Sequence, residues 1–243
     1  TVNILDVEVS CFKRNELLEQ IISWAEEGTR KTITYVNAHC LNLSARQSNY
    51  RELLNQTDLI YADGVSVVWA SRLLGGCPLE KITGRDWIYD FCALASQKKL
   101  RIYILAGKPG VVQHANANLT QQFPDLKIVG WHNGYLDKDS RTHVLQSIKE
   151  TNADVLFVGM GAPFQEQWIA KHREEISAPV CWGVGALFDY VAGQEPPVPG
   201  WLEYLALEWL WRLVVDPLGK WRRYLVGNPL FLYRLFRRLL TGK

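Results

Sequence analysis

No stretch of about 18 consecutive apolar residues occurs in this chain, so no segment is expected to cross a bilayer as a helix. A Walker sequence is absent, and so is a complete Gly-x-Gly-x-x-Gly. Gly159-Met160-Gly161 and Gly183-Val184-Gly185 each lack the third glycine, and both lie late in the chain, whereas a dinucleotide fingerprint sits in the first βαβ unit. The histidines His39, His114, His132, His143 and His172 are scattered without metal-ligand spacing, and most are read as surface or loop residues. Five cysteines, widely spaced and without a Cys-x-x-Cys pair, fit neither a disulfide framework nor a zinc site; they point to a reduced, cytosolic compartment. The N-terminus has no basic region followed by an apolar core, so no signal peptide is expected. There is no internal repeat or low-complexity segment.

What is present is globular. The 243 residues are 48% hydrophobic and 21% charged. Val2 to Val9 alternates apolar and polar residues, as an edge strand or hairpin arm does. Helical spacing is predicted over Arg14–Glu27, Leu41–Leu54, Val65–Leu74, Trp87–Gln97, Val111–Gln122, Ser140–Glu150 and Phe164–Glu175. Between these lie short apolar runs that read as strands: Lys31–Val36, Leu59–Ala62, Arg101–Leu105, Leu126–Val129, Ala153–Val158 and Val180–Trp182. Strands separated by helices of this length imply right-handed βαβ crossovers. The expected fold is therefore α/β, a doubly wound and mostly parallel sheet.

In such sheets ligands bind beyond the carboxyl ends of the strands. Polar residues and glycines collect at those ends: Asn37, Asp63-Gly64, Gly107, Gly134-Tyr135, Gly159 to Gln165, Gly183 to Gly185, and Asp189. The central stretch runs from the apolar strand through Gly159 and Gly161 to Pro163, where a helix can begin. A glycine-ended strand entering a helix gathers backbone N–H groups and a positive dipole end, which suits a phosphate. Gln165 and Glu166 add hydrogen-bonding side chains. The alternative is a tight turn whose glycines serve backbone geometry alone. Asp63 has two readings as well, a general base at a strand end or the cap of the helix from Val65. The Asp137-Lys138-Asp139 pair matches a short metal-binding pattern but stands just before a helix, and capping is the preferred reading.

Together these residues resemble the WecG/TagA/CpsF glycosyltransferases. Ala62-Asp63-Gly64, Thr83-Gly84-x-Asp86, Gly134-Tyr135, Gly159-x-Gly161-x-Pro163-x-Gln165-Glu166-x-Trp168, Gly183-Val184-Gly185 and Phe188-Asp189 occur in that family's order, followed by Glu208-Trp209-Leu210-x-Arg212-Leu213 and Arg223-Tyr224-Leu225. The resemblance covers the chain from about Lys31 onward. It implies inverting transfer of a sugar from a UDP-sugar to a polyprenyl-diphosphate-linked saccharide, in cell-wall polymer, capsule or exopolysaccharide assembly. Asp63 then resembles the general base, Gln165 a residue near the donor sugar and phosphates, and Tyr135 and Asp189 uridine contacts. Asn37 matches the asparagine of the family's Thr-x-Asn segment. Two departures stand out: Tyr35 replaces that threonine, and Lys81 replaces the usual arginine before Thr-Gly. Lys81 or Arg85 is expected to neutralise the leaving diphosphate in a metal-independent site. The donor sugar is left open between N-acetylmannosamine, its uronate and glucose.

Residues 201–243 differ from the rest, with eight basic against three acidic side chains and four of the ten tryptophans. Pro196-Pro197-x-Pro199-Gly200 marks a joint, giving a core over 1–195 and an appendage over 196–243. Trp201 to Val215 is apolar nearly all round, either buried or in lipid. Asn228-Pro229 starts a last helix on which Arg234, Arg237 and Arg238 share a face. With Trp209, Arg212, Trp221, Arg222 and Arg223, they describe a helical appendage on an anionic membrane surface, at the cytoplasmic face. The alternative is a subunit interface of a homo-oligomer with a basic rim. Nucleic-acid binding is not expected, because the body is slightly acidic and lacks a recognition motif. Two rival functions remain on the same fold, a nicotinamide-dependent oxidoreductase and a non-catalytic membrane-bound adaptor.

Overall fold

In the computed structural model, which describes residues 1–241, the alternating Val2, Ile4, Val7 and Val9 fold into an antiparallel hairpin, β1 (Val2–Ile4) and β2 (Val7–Val9). Helix α1 (Arg14–Glu27) follows, burying Leu17, Leu18, Ile21, Ile22 and Ala25 as one helical stripe. The chain then alternates: β3 (Lys31–Val36), α2 (Ala38–Ser44), α3 (Ser48–Asn55), β4 (Leu59–Ala62), α4 (Val65–Leu73), α5 (Gly84–Gln97), β5 (Arg101–Ala106), α6 (Val111–Gln122), β6 (Lys127–His132), α7 (Lys138–Thr151), β7 (Val155–Gly159), α8 (Phe164–His172), β8 (Val180–Gly183) and α9 (Leu187–Val191). The C-terminal segment holds α10 (Gly200–Tyr204), α11 (Glu208–Val215), α12 (Pro217–Trp221), a π-helical turn (Arg222–Val226) and α13 (Gly227–Thr241).

Six strands form one parallel sheet in the order β4-β3-β8-β7-β5-β6. The chain runs outward from β3 to β4, restarts at β5 toward the other edge, and returns to insert β7 and β8 at the centre. Strand order therefore reverses at the middle of the sheet, where a crevice opens beyond the carboxyl ends. Alternate strand residues feed opposite faces, as the period of two requires. Ile33, Tyr61, Ile104, Phe157 and Trp182 meet α1, α5, α6 and α9. On the other face, Val36 and Ile60 meet α2, α3 and α4, while Leu105, Leu156 and Val158 meet α7 and α8. The first face is centred on aromatic packing: Trp87 stacks on Trp182 at 4.1 Å between ring centroids, and Phe91 packs edge-on against Trp182 and Phe157.

Three expectations change. The single helix over Leu41–Leu54 is two, because Ala45 to Gln47 turn the chain so that Leu41 from α2 and Tyr50 and Leu54 from α3 reach one cluster. β6 runs on through Gly130 to His132, past the predicted end of its strand at Val129, by pairing with Tyr103 to Leu105 of β5. The cysteines are not all free. The hairpin packs on α4 and brings Cys11 and Cys77, 66 positions apart, into a disulfide, while Cys40, Cys92 and Cys181 are buried thiols. Among the described residues no helix is long and apolar enough to cross a membrane.

Candidate active site at the strand ends

Two large cavities open along the carboxyl ends of the sheet. The first, about 620 Å³, lies over β5, β7 and β8, and collects Gly107, Tyr135, Gly159, Gly161, Gly185 and Asp189, all singled out in the sequence. Glycine is required here by close approach: a Cβ on Gly159 would stand 2.6 Å from the Gly185 carbonyl oxygen and 2.7 Å from the Ala106 Cβ. Backbone is thereby left bare toward the cavity. Lys108, Arg141 and Lys171 also line it and supply positive charge that sequence reasoning did not assign. The signal for Lys108 was its place within Gly107-Lys108-Pro109-Gly110; Arg141 and Lys171 sit on helices and carry no local mark. Burial and the nearby Glu195 raise the Asp189 carboxyl above its ordinary range.

Gln165 and Glu166 stand behind this cavity, not in it. Both are buried, because α8 starts directly over β3 and β8. The Gly185 N–H donates to Gln165 Oε1 (2.9 Å), Gln165 Nε2 donates to Glu166 Oε1 (2.8 Å), and Thr34 Oγ1 donates to the same oxygen (2.7 Å). Glu166 Oε2 is left without a partner, and burial raises the pKa of this carboxyl. Gly183 belongs to the same support, since a Cβ there would meet Gln165 and Thr34 at 2.9 Å. Pro163 is the residue before α8 and lines neither large cavity.

The second cavity, about 680 Å³, has Asp63 and Asn37 at its core side. Asp63 does not cap α4; Gly64 takes that position. The Asp63 N–H donates to the Val36 carbonyl (2.8 Å), and its carboxylate accepts from Asn37 Nδ2 (3.1 Å). The other end of that amide, Asn37 Oδ1, caps α2 by accepting from the N–H groups of His39 and Cys40. Burial raises the Asp63 pKa above 3.8, opposed by the Asn37 bond and by the charges of Arg212 and Arg223. His39, set aside in the sequence, lines this cavity too. Burial and Arg223 push its pKa down to about 4, so it is neutral at pH 7.

The remaining wall comes from the C-terminal segment, and here several residues change role. Trp209, Arg212 and Arg223 line the Asp63 cavity, and Arg212 also pairs with Glu195 at 3.5 Å. Lys81 and Arg85 do not face the glycine-lined cavity. Glu208 binds both, at 2.7 Å each, and Glu203 binds Arg85 at 2.9 Å. The basic face of α13 is likewise turned inward. Phe231 and Leu235 are buried with the hairpin cluster, and Arg234 and Arg238 share their side of the helix. Arg234 therefore bonds Asn42, and Arg238 pairs with Asp6 at 3.3 Å. Arg237, Arg222 and Trp221 stay exposed. Trp201, Tyr204, Leu210, Val214 and Leu218 are exposed as well, as are Tyr233, Phe236 and Leu240 on α13. Asp137 caps α7, its carboxylate accepting from the Ser140 N–H at 2.8 Å.

The profile of the glycosyl transferase WecG/TagA/CpsF family matches residues 2–243. An N-acetylglucosaminyldiphosphoundecaprenol N-acetyl-beta-D-mannosaminyltransferase of Bacillus subtilis (strain 168) is 32% identical over 193 residues, covering 79% of this chain and 74% of the relative. A protein of the same name from Staphylococcus aureus (strain NCTC 8325 / PS 47) is 31% identical over 238 residues, 96% of this chain and 91% of the relative.

The raised Asp63 pKa sets a stability trade. The folded state holds the Asp63 proton more tightly than the unfolded chain, so ionisation at neutral pH costs stability, and the cost vanishes once pH falls below the ordinary aspartate range. Asp63→Asn should therefore raise the urea midpoint at pH 7, with the gain shrinking toward pH 3. Equal midpoints at pH 7 would remove the desolvation argument.

Proposed function

Since the chain belongs to the WecG/TagA/CpsF family and is a glycosyltransferase, we propose that it transfers an N-acetylhexosaminyl group from a UDP-sugar to a saccharide carried on polyprenyl diphosphate, with inversion, at the cytoplasmic membrane face. The observation that carries this reading is the pairing of two cavities along one row of strand ends. One is bare glycine backbone ringed by Lys108, Arg141 and Lys171; the other holds the buried carboxylate of Asp63. The relatives' names supply the chemistry: an N-acetylmannosaminyl group moved to a diphosphoundecaprenol-linked N-acetylglucosamine. Such a step belongs to assembly of a cell-wall polymer, capsule or exopolysaccharide.

In this reading the nucleotide lies in the glycine-lined cavity and the acceptor sugar in the other. Asp63 takes the proton of the acceptor hydroxyl as that oxygen bonds to the anomeric carbon, and the bond to the diphosphate breaks with its electron pair leaving on UDP. A carboxyl lifted by burial suits a base better than one at its ordinary pKa. Asn37 orients it, and neutral His39 adds no competing charge. With Lys81 and Arg85 engaged by Glu208 and Arg212 by Glu195, the cations available to the phosphates are Lys108, Arg141 and Lys171 on one side and Arg223 on the other. This cationic set supports a metal-independent site, as does the capping use of Asp137. The polyprenyl chain runs over Trp69, Leu73, Leu205 and Leu232, which rim the Asp63 cavity and are exposed. The neighbouring exposed apolar residues of α13 rest on the membrane, with Arg222 and Arg237 toward anionic headgroups.

Three outcomes check this. Asp63→Asn should lower transfer by ~10²–10⁴ while UDP affinity, measured by calorimetry, stays within a few fold; near-normal turnover would sink the assignment. Transfer should continue in EDTA, and activity lost to the chelator and restored by Mg²⁺ or Mn²⁺ would overturn metal independence. Phe236→Ser with Leu240→Ser should release the protein from phosphatidylglycerol vesicles in co-sedimentation, each buried side chain contributing roughly 1.5–3 kcal/mol. Sedimentation equal to wild type would take α13 out of the membrane contact.

A further inference from the structure

Tyr35 stands between residues that line the two cavities, Gly185 of the first and Asn37 and Asp63 of the second. It is the next-to-last residue of β3, between β4, which leads to Asp63, and β8, which leads to Gly185. Its ring packs on both faces' core clusters at once and lies 6.3 Å from the Tyr61 ring. Its hydroxyl reaches Gly185, where an added Cβ would run into the hydroxyl and stand 3.1 Å from Cζ; Gly185, at φ +60, lines the glycine-rich cavity. On the other side Val36, the next residue, accepts the Asp63 N–H, and Asn37 holds the Asp63 carboxylate. No hydrogen bond within the protein engages the Tyr35 hydroxyl among the described residues, and the side chain is only partly buried. A phenol set between the Gly185 wall of one cavity and the Asp63 carboxylate of the other, with its hydroxyl unpaired within the protein, is placed to meet a ligand that bridges the two.

We infer that Tyr35 is a specificity-determining residue for the transferred sugar, contacting the pyranose held between the nucleotide cavity and Asp63. The inference rests on the functional reading above, because the anomeric carbon must lie between the departing UDP and the base. It also gives a structural meaning to the departure at this position, where the family pattern has threonine. A phenol in place of a short hydroxyl narrows the passage on the Gly185 side and moves the hydrogen-bonding oxygen several ångströms toward the nucleotide. Pocket size discriminates modestly, roughly 10–200-fold per small group, whereas a hydrogen bond to a sugar hydroxyl or amide discriminates more strongly. Tyr35 supplies both.

The test is a panel of UDP-N-acetylhexosamines and UDP-hexoses with a short-chain polyprenyl-diphosphate acceptor, run on wild type, Tyr35→Thr and Tyr35→Phe alongside UDP calorimetry. Tyr35→Thr should shift the kcat/KM ratio between the bulkier N-acetylated donors and the plain hexoses by about tenfold or more, toward the bulkier. UDP affinity should stay within threefold. An unchanged ratio in a variant that binds UDP normally overturns the inference, and so does a loss of UDP affinity that accounts for the whole effect. If the threonine variant does not fold, Tyr35→Phe decides. It keeps the ring seated and should lose roughly tenfold in kcat/KM with the preferred donor, while equality with wild type would remove the hydroxyl from the site. Wild type that binds UDP but turns over no UDP-sugar would instead fail the functional reading, and this inference with it.

Discussion

The buried chain from Thr34 through Glu166 and Gln165 to the Gly185 N–H is the constraint on which the site depends. It ties β3, α8 and the exit of β8 at the point where strand order reverses. It sets Gly185 beside Gly159 on one side and the end of β3, with the turn to Asn37, on the other. A network of this kind rigidifies only when its members are satisfied, and here one carboxylate oxygen is not. Burial raises the pKa of this carboxyl, while the Gln165 and Thr34 hydrogen bonds to its other oxygen oppose the rise.

The C-terminal segment is held by two kinds of contact that divide the work. Phe231 and Leu235 insert into the hairpin cluster and supply the apolar anchor. Glu208 with Lys81 and Arg85 supplies direction more than affinity, since partly buried ion pairs recover little beyond their desolvation. Their geometry matters more than their energy. Glu208 and Arg212 are one turn apart on α11, so fixing Glu208 against the core also brings Arg212 to the wall of the Asp63 cavity. The π-helical turn does the same for Arg223, consistent with the frequent placement of such turns at functional sites. The segment thus completes the wall of the Asp63 cavity while leaving its outer face apolar.

Local pattern determined the elements of this protein and the end of the sheet at which its glycines and polar residues collect. Arg14–Glu27, Lys31–Val36, Leu59–Ala62 and Val111–Gln122 form over the bounds their periodicity predicts, because each carries its own stripe or run of apolar residues. The glycines and polar residues at strand ends were legible for the same reason: turn chemistry is local. Family resemblance was legible in motif order, and the matched profile bears it out.

Tertiary structure alone decided who pairs with whom. Lys81 and Arg85 read as free cations until α11 brings Glu208, more than 120 positions away, onto both. Arg234 and Arg238 read as a solvent or lipid face until burial of Phe231 and Leu235 turns that side of α13 inward. Cys11 and Cys77 read as unpaired until the hairpin docks on α4. His39, Arg141 and Lys171 carry no local signal at all. In each case the side chain's chemistry is written in the sequence, but its partner is set by long-range packing, which no local periodicity encodes.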